Sequence, residues 1–182
     1  MNPPPIGDAL TAGWNALKAD PAPILVALLC AMLVTLIPLI GGLLAAPGMM
    51  YVGLKAVRGQ KPEPTDGFIG LERLVDSLVM GLIQMAGILA CCVGVFVTRA
   101  VFQPGLLLIV DKKVSWQEAK DRCIEEIWPN WLNWLLFDVV IGLVAASGVL
   151  LCVVGVFVTL PVAVCAMAYA YDQTLGRARL AS

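Results

Sequence analysis

Apolar residues gather in six long runs along the chain, at about 22–40, 43–58, 74–90, 94–110, 132–151 and 154–171. At about 1.5 Å per residue, roughly 17–20 residues cover a hydrocarbon layer about 30 Å thick, the length of a membrane-crossing helix. The second run is the shortest. Within each pair of runs the break holds glycine and no charge: Gly41–Gly42, Gly94 and Gly155. Breaks this short join antiparallel neighbours. The pattern predicts an all-α transmembrane fold, six helices arranged as three hairpins.

Polar residues collect between the hairpins, in stretches with helical periodicity. Residues 5–19 set Ile6, Leu10, Trp14 and Leu17 on one face, away from Asp8, Thr11, Asn15 and Lys18. Residues 66–77 set Phe68, Leu71 and Val75 against Glu72, Arg73 and Asp76. Residues 115–128 open with Ser115-Trp116-Gln117-Glu118, a spacing in which each polar side chain can satisfy the other residue's free backbone N–H. Trp116, Ile124, Ile127 and Trp128 then oppose Glu118, Asp121, Arg122 and Glu125. Amphipathic helices with tryptophan on the apolar side suit a headgroup layer. Packing on the protein's own loops is the other placement.

Every Lys and Arg except Arg99 falls in or around these linkers or in the tail, and the hairpin turns carry none. The positive-inside rule then puts the linkers and both termini in the cytoplasm. A multi-pass protein of a bacterial cytoplasmic (inner) membrane is expected. Residues 1–20 lack the basic opening of a signal peptide, so the first run is expected to stay as a span.

The second and third hairpins repeat one unit. A shift of 61 residues superimposes Cys91-Cys92-Val93-Gly94-Val95-Phe96-Val97-Thr98 on Cys152-Val153-Val154-Gly155-Val156-Phe157-Val158-Thr159, with one mismatch. Gly81/Gly142, Gly87/Gly148 and Asp111/Asp172 also match. The first hairpin is more remote: a shift of 57 aligns Pro47-Gly48 with Pro104-Gly105 and Lys55 with Lys112. The expected organisation is a single membrane domain, 1–182, with repeats at about 5–60, 65–112 and 115–173. Each repeat crosses an even number of times, so all point the same way, as pseudo-threefold parallel repeats about the membrane normal. Mitochondrial carriers also have three hairpins, but their P-x-[DE]-x-x-[KR] signature is absent and the amphipathic helices here lie between hairpins.

Composition agrees with the pattern: 60% of residues are apolar and 14% charged, too little charge to clothe a water-exposed globule. Histidine is absent, which removes the commonest metal ligand and neutral-pH proton shuttle. No phosphate loop, nucleophile elbow, zinc motif or carboxylate pair occurs, so no cofactor and no enzymatic activity are expected. Expected partners are membrane lipids, further copies of the chain or other membrane subunits; no nucleic-acid partner is expected.

The overall pattern resembles a loose family of bacterial six-helix integral membrane proteins related to the membrane domain attached to some glycerophosphodiester phosphodiesterases. The residues carrying the resemblance are Gly7-Asp8-Ala9-Leu10…Gly13-Trp14, Arg58-Gly59, Glu118-Ala119, and Thr159-Leu160-Pro161…Tyr171-Asp172…Gly176. In the fused proteins catalysis belongs to a separate soluble barrel, so the resemblance implies a topology and no activity.

Two ionisable residues fall inside the spans, Arg99 and Asp138, and intramembrane charges are functional candidates by default. Counted along their helices, Arg99 lies roughly 8 Å below the outer surface and Asp138 roughly 9 Å above the inner one. About 13 Å of depth then separates them in a core of about 30 Å. A direct ion pair needs tilted helices or bridging water; otherwise Arg99 snorkels outward and Asp138 inward. Their counterparts at the 61-residue shift are Leu160 and Ser77. Pro47, Pro104 and Pro161, with Pro38, interrupt spans as candidate helix kinks, either opening a central cavity or bending helices for packing. Cys152 facing Cys91 or Cys92 is a candidate disulfide if the outer side is oxidising, or else these are small packing residues. A soft-ligand copper path through Met80, Met85, Cys91 and Cys92 lacks Met-x-x-Met spacing. Two functions remain: a non-enzymatic structural or accessory membrane protein, or a small channel or transporter with Arg99 and Asp138 at its pathway.

Overall fold

The structure, a computed structural model, describes residues 1–34, 41–87, 91–150 and 152–177. Among them all regular structure is helical. An N-terminal helix α1 (Ile6–Ala19) is followed by α2 (Pro21–Val34), which packs along α3 (Gly41–Val57). A 3₁₀ turn (Pro64–Phe68) and the short α4 (Ile69–Glu72) lead to α5 (Leu74–Ala86), which packs along α6 (Cys91–Lys112). The helix α7 (Trp116–Arg122) continues through a π-helical turn (Cys123–Ile127) and a 3₁₀ turn (Trp128–Asn130) into α8 (Trp131–Leu150), paired with α9 (Cys152–Tyr171). Among the described residues one helical stretch, Trp116–Gly148, is long and apolar enough to cross a membrane; Pro21–Ala31 and Leu74–Ala86 are shorter apolar helices.

The apolar patterns explain who lies inside. From Ala100 to Val110 every residue of α6 but Gln103 is buried, as befits a helix apolar all round. Further out, α2 buries one stripe against α3 and the 64–68 turn, and α8 one against α6 and α9: Ile24, Ala27, Leu28 and Ala31 on α2; Trp134, Phe137, Asp138 and Ile141 on α8. The opposite faces are equally apolar yet exposed, through Val26 and Leu29 on α2 and Leu132, Leu136, Val139 and Leu143 on α8. The two stretches Ala9–Ala31 and Ala119–Ile141, 110 residues apart, bury and expose the same positions with one exception, Pro23 against Asn133. Residue identities along that register differ nearly throughout, so the chain letters conceal it.

Each linker rests on the second helix of a hairpin. The 64–72 segment lies on α2 and α3, α7 on α6, and α1 on α9. The contacts are made through small residues. A Cβ added to Gly13 would come within 2.5 Å of the Val162 carbonyl oxygen; one on Gly67 would meet Ala31 N at 2.6 Å; and one on Gly105 would meet Cys123 Sγ at 2.9 Å. The small residues thus set the packed faces, and most of the grouped apolar side chains stay outside. On α1 the buried residues are Ala9, Gly13 and Leu17, and Trp14 is left exposed beneath the Lys18 ammonium, 5.3 Å from the ring centroid. The stretch 66–77 is not one helix: it breaks at Arg73 (φ −116°, ψ 46°), buries Asp66, Gly67 and Gly70, and leaves Phe68, Leu71 and Val75 exposed. Close backbone approach outweighs burial of the large side chains, because a bulky residue at Gly13 or Gly67 would push the helices apart. Of the predicted capping box, Ser115 plays its part, accepting from Glu118 N at 3.4 Å.

At the other end, the second and third hairpins close alike. Thr98 Oγ1 donates to Gln84 O (2.7 Å) and lies 3.0 Å from Gly94 O; Thr159 Oγ1 lies 3.2 Å from Ala145 O and 3.1 Å from Gly155 O. Each threonine occupies the space a side chain would need at Gly87 or Gly148, where an added Cβ would sit 2.3 Å and 2.0 Å from the hydroxyl oxygen.

Candidate functional site

Arg99 stands eight residues into α6 and Asp138 seven residues into α8, about 12 Å and 10 Å along their helices, from opposite ends. Both therefore belong to the middle third of the bundle. Arg99 Nε lies 3.7 Å from Asp138 Oδ2 and donates to Gln103 Oε1, one turn on, at 3.1 Å. The separate snorkelling of the two charges is thus not what the structure shows. The depth count located backbones, and the long arginine side chain running toward α8 covers the remaining distance. At 3.7 Å the contact is an ion pair longer than a hydrogen bond. The aspartate side chain is 8% exposed and the arginine 56%.

A cleft of about 90 Å³ borders the pair on its buried side, between Met50, Gln103, Ile141 and Met167. It holds no more than a few water-sized molecules. Below it the interior is closed: Leu54, Leu106, Leu107, Leu108, Ile109, Ala168 and Ala170 are all buried, and together they fill the space between α3, α6 and α9.

A second polar cluster lies where those three helices end. Arg58, just past α3, bonds to Asp111 of α6 through both terminal amino groups (Nη1–Oδ1 2.7 Å, Nη2–Oδ2 3.2 Å). Its Nε donates to Asp172 Oδ1, just past α9, at 2.8 Å. Tyr171 donates its hydroxyl to Asp111 Oδ2 at 3.0 Å, and Lys112 and Arg177 each stand 3.4 Å from one of the carboxylates. One guanidinium therefore ties the ends of all three hairpins, using the fork geometry that lysine lacks. Burial works to raise the Asp111 carboxyl, but the hydrogen bonds and charge of Arg58, helped by Lys112 and Tyr171, outweigh it and hold the group below the usual carboxylate range. Lys55 likewise grips both oxygens of Asp66 (2.7 and 2.9 Å), anchoring the 64–72 segment to α3.

Sequence reasoning singled out Arg99 and Asp138 and missed the Arg58 cluster. The available signal was the Asp111/Asp172 match at equal exits from two hairpins, with a lone arginine at the exit of the remaining one.

Pro47, Pro104 and Pro161 lie inside α3, α6 and α9, which continue as helices on both sides of each ring. The glycines after the first two, Gly48 and Gly105, touch the linker segments, with Gly67 and with Ala119 and Cys123. The side chains of Cys91, Cys92 and Cys152 lie outside the described residues, as does Pro38. Cys30, Cys123 and Cys165 are free thiols, and burial pushes Cys123 up to about 12. No family model, no curated protein and no solved structure matches the chain.

Proposed function

We propose that this chain is a multi-pass integral membrane protein whose three hairpins, related by pseudo-threefold parallel repeats, form a non-enzymatic structural or accessory element of a bacterial inner membrane. The observation that carries the reading is the closed apolar interior around α6, tied at one end by Arg58 and wrapped in helices whose outer faces are apolar too. Exposed Val26, Leu29, Leu82, Leu136, Leu143 and Phe157 form a surface that water would penalise and lipid would not. Exposed Trp14, Trp128 and Trp131 sit at the charged end, where tryptophans favour headgroups. The burial register shared by residues 9–31 and 119–141 supports the first hairpin as a third copy of the unit. Both termini on the cytoplasmic side follow from the cation distribution, and the resemblance to six-helix bacterial membrane proteins agrees with it.

A second reading has its own observation. An ion pair at mid-depth beside a cleft is where a transporter or channel would hold a solute, with Arg99 and Asp138 at the pathway. Purified protein in liposomes loaded with small-ion and metabolite reporters separates the two. No flux above empty vesicles is expected. Flux that disappears in Arg99→Leu and Asp138→Asn would overturn the accessory reading. Single-cysteine labelling from either side tests the topology: positions 61 and 113 should react from the cytoplasm only.

A further inference from the structure

Arg99 and Asp138 also border a second hollow, about 270 Å³, on the outer side of the bundle between α6 and α8. Its walls are Phe96, Val139 and Leu143, which are 54%, 40% and 65% exposed. Arg99 commits only Nε to the protein; among the described residues its two terminal amino groups have no hydrogen bond. We propose that this hollow is a binding groove for a long-chain carboxylate, its head on Arg99 and its alkyl chain along Phe96, Val139 and Leu143.

Four features select that ligand. A guanidinium with both amino groups open presents the fork that matches a carboxylate. Apart from the ion pair itself the lining is apolar, so the rest of the ligand must be hydrocarbon. The pair lies at mid-depth, whereas the phosphate of a glycerophospholipid stays at the interface. The 3.7 Å contact with Asp138 engages only Nε, so a singly charged head can share the guanidinium, whereas a doubly charged one would be repelled by Asp138. A half-exposed guanidinium among apolar groups is costly, and covering it supplies the drive to bind.

The inference rests on the membrane placement proposed above. The full chain is placed in phosphatidylcholine nanodiscs with diazirine-bearing palmitate, hexadecanol or phosphatidylglycerol, and cross-links are mapped by peptide mass spectrometry. Palmitate should label the peptides holding Phe96 and Leu143 about tenfold more than hexadecanol, the gain expected of a charge-assisted contact. Arg99→Leu should abolish this labelling and Arg99→Lys reduce it. Asp138→Asn should increase it, by removing the carboxylate that competes for Arg99; a merely structural role for the pair predicts no such gain. Equal labelling by hexadecanol, preferential labelling by phosphatidylglycerol, or labelling unchanged in both Arg99 variants would overturn the groove. A chain that fails to enter nanodiscs would sink the membrane reading instead, and reconstituted protein labelled evenly at Leu82 and Phe157 would sink the groove alone.

Discussion

Arg58 is the residue on which the three hairpins depend most. It bonds two carboxylates from different hairpins, and both aspartates keep only about a tenth of their side-chain surface exposed. Arg58→Ala leaves those charges without their shared partner and should cost about 2–4 kcal/mol, read as a lower Tm in detergent. The acid limb of stability belongs to the same cluster. Folding favours the charged form of Asp111, so its contribution is complete above the ordinary carboxylate pKa of 3.8 and is lost as pH falls through the lowered value. A Tm profile taken down to about pH 2 should fall there, and Asp111→Asn should flatten the fall while lowering Tm at neutral pH. Little of this was legible in the sequence. Asp111 and Asp172 lie at equal exits from their hairpins, with Arg58 near the exit of the first, but which helices end side by side depends on packing between segments 53 to 114 residues apart. Arg99 and Asp138 were legible, because a charge inside an apolar run stands out without any knowledge of its partner.

Among the elements, the helix pairs were readable, their breaks were not, and the linkers were only half so. Over the described residues the six apolar runs coincide with α2, α3, α5, α6, α8 and α9 to within a few residues, with 35–40 and 88–90 outside them. The glycines expected at the breaks, Gly41–Gly42, Gly94 and Gly155, belong to α3, α6 and α9. Apolar periodicity grouped Trp14, Phe68, Leu71 and Val75 on faces suited to a headgroup layer or to the protein's own loops, and the structure leaves these four exposed rather than packed. What decides the linker register is how closely backbones approach, which the glycines and alanines encode. Gly13→Val should therefore release α1 from α9, seen as faster amide exchange over residues 6–19 while residues 100–110 stay protected. Gly148→Val should cost roughly 2 kcal/mol through its clash with Thr159 and Gly155. Gly142→Ala, with no neighbour within 4 Å, should be neutral or slightly stabilising in the same melt.

For the whole molecule, the order of contacts matters as much as their number. The 64–72 segment and α7 each lie on a hairpin that precedes them in the chain, so each can dock as soon as it emerges. The exception is α1, whose seat is α9, more than 140 residues away. On the membrane placement proposed above, a ribosome makes α1 first and its seat last. Until α9 is inserted, the Ala9–Gly13–Leu17 stripe keeps only its smaller contacts with α2 and α3, and the ring of hairpins stays open on that side. On that placement a chain stalled after residue 150 should leave α1 open to added protease, whereas one carried past Ser182 by an appended stalling linker should protect it. The first helix made would then report that the last is in place.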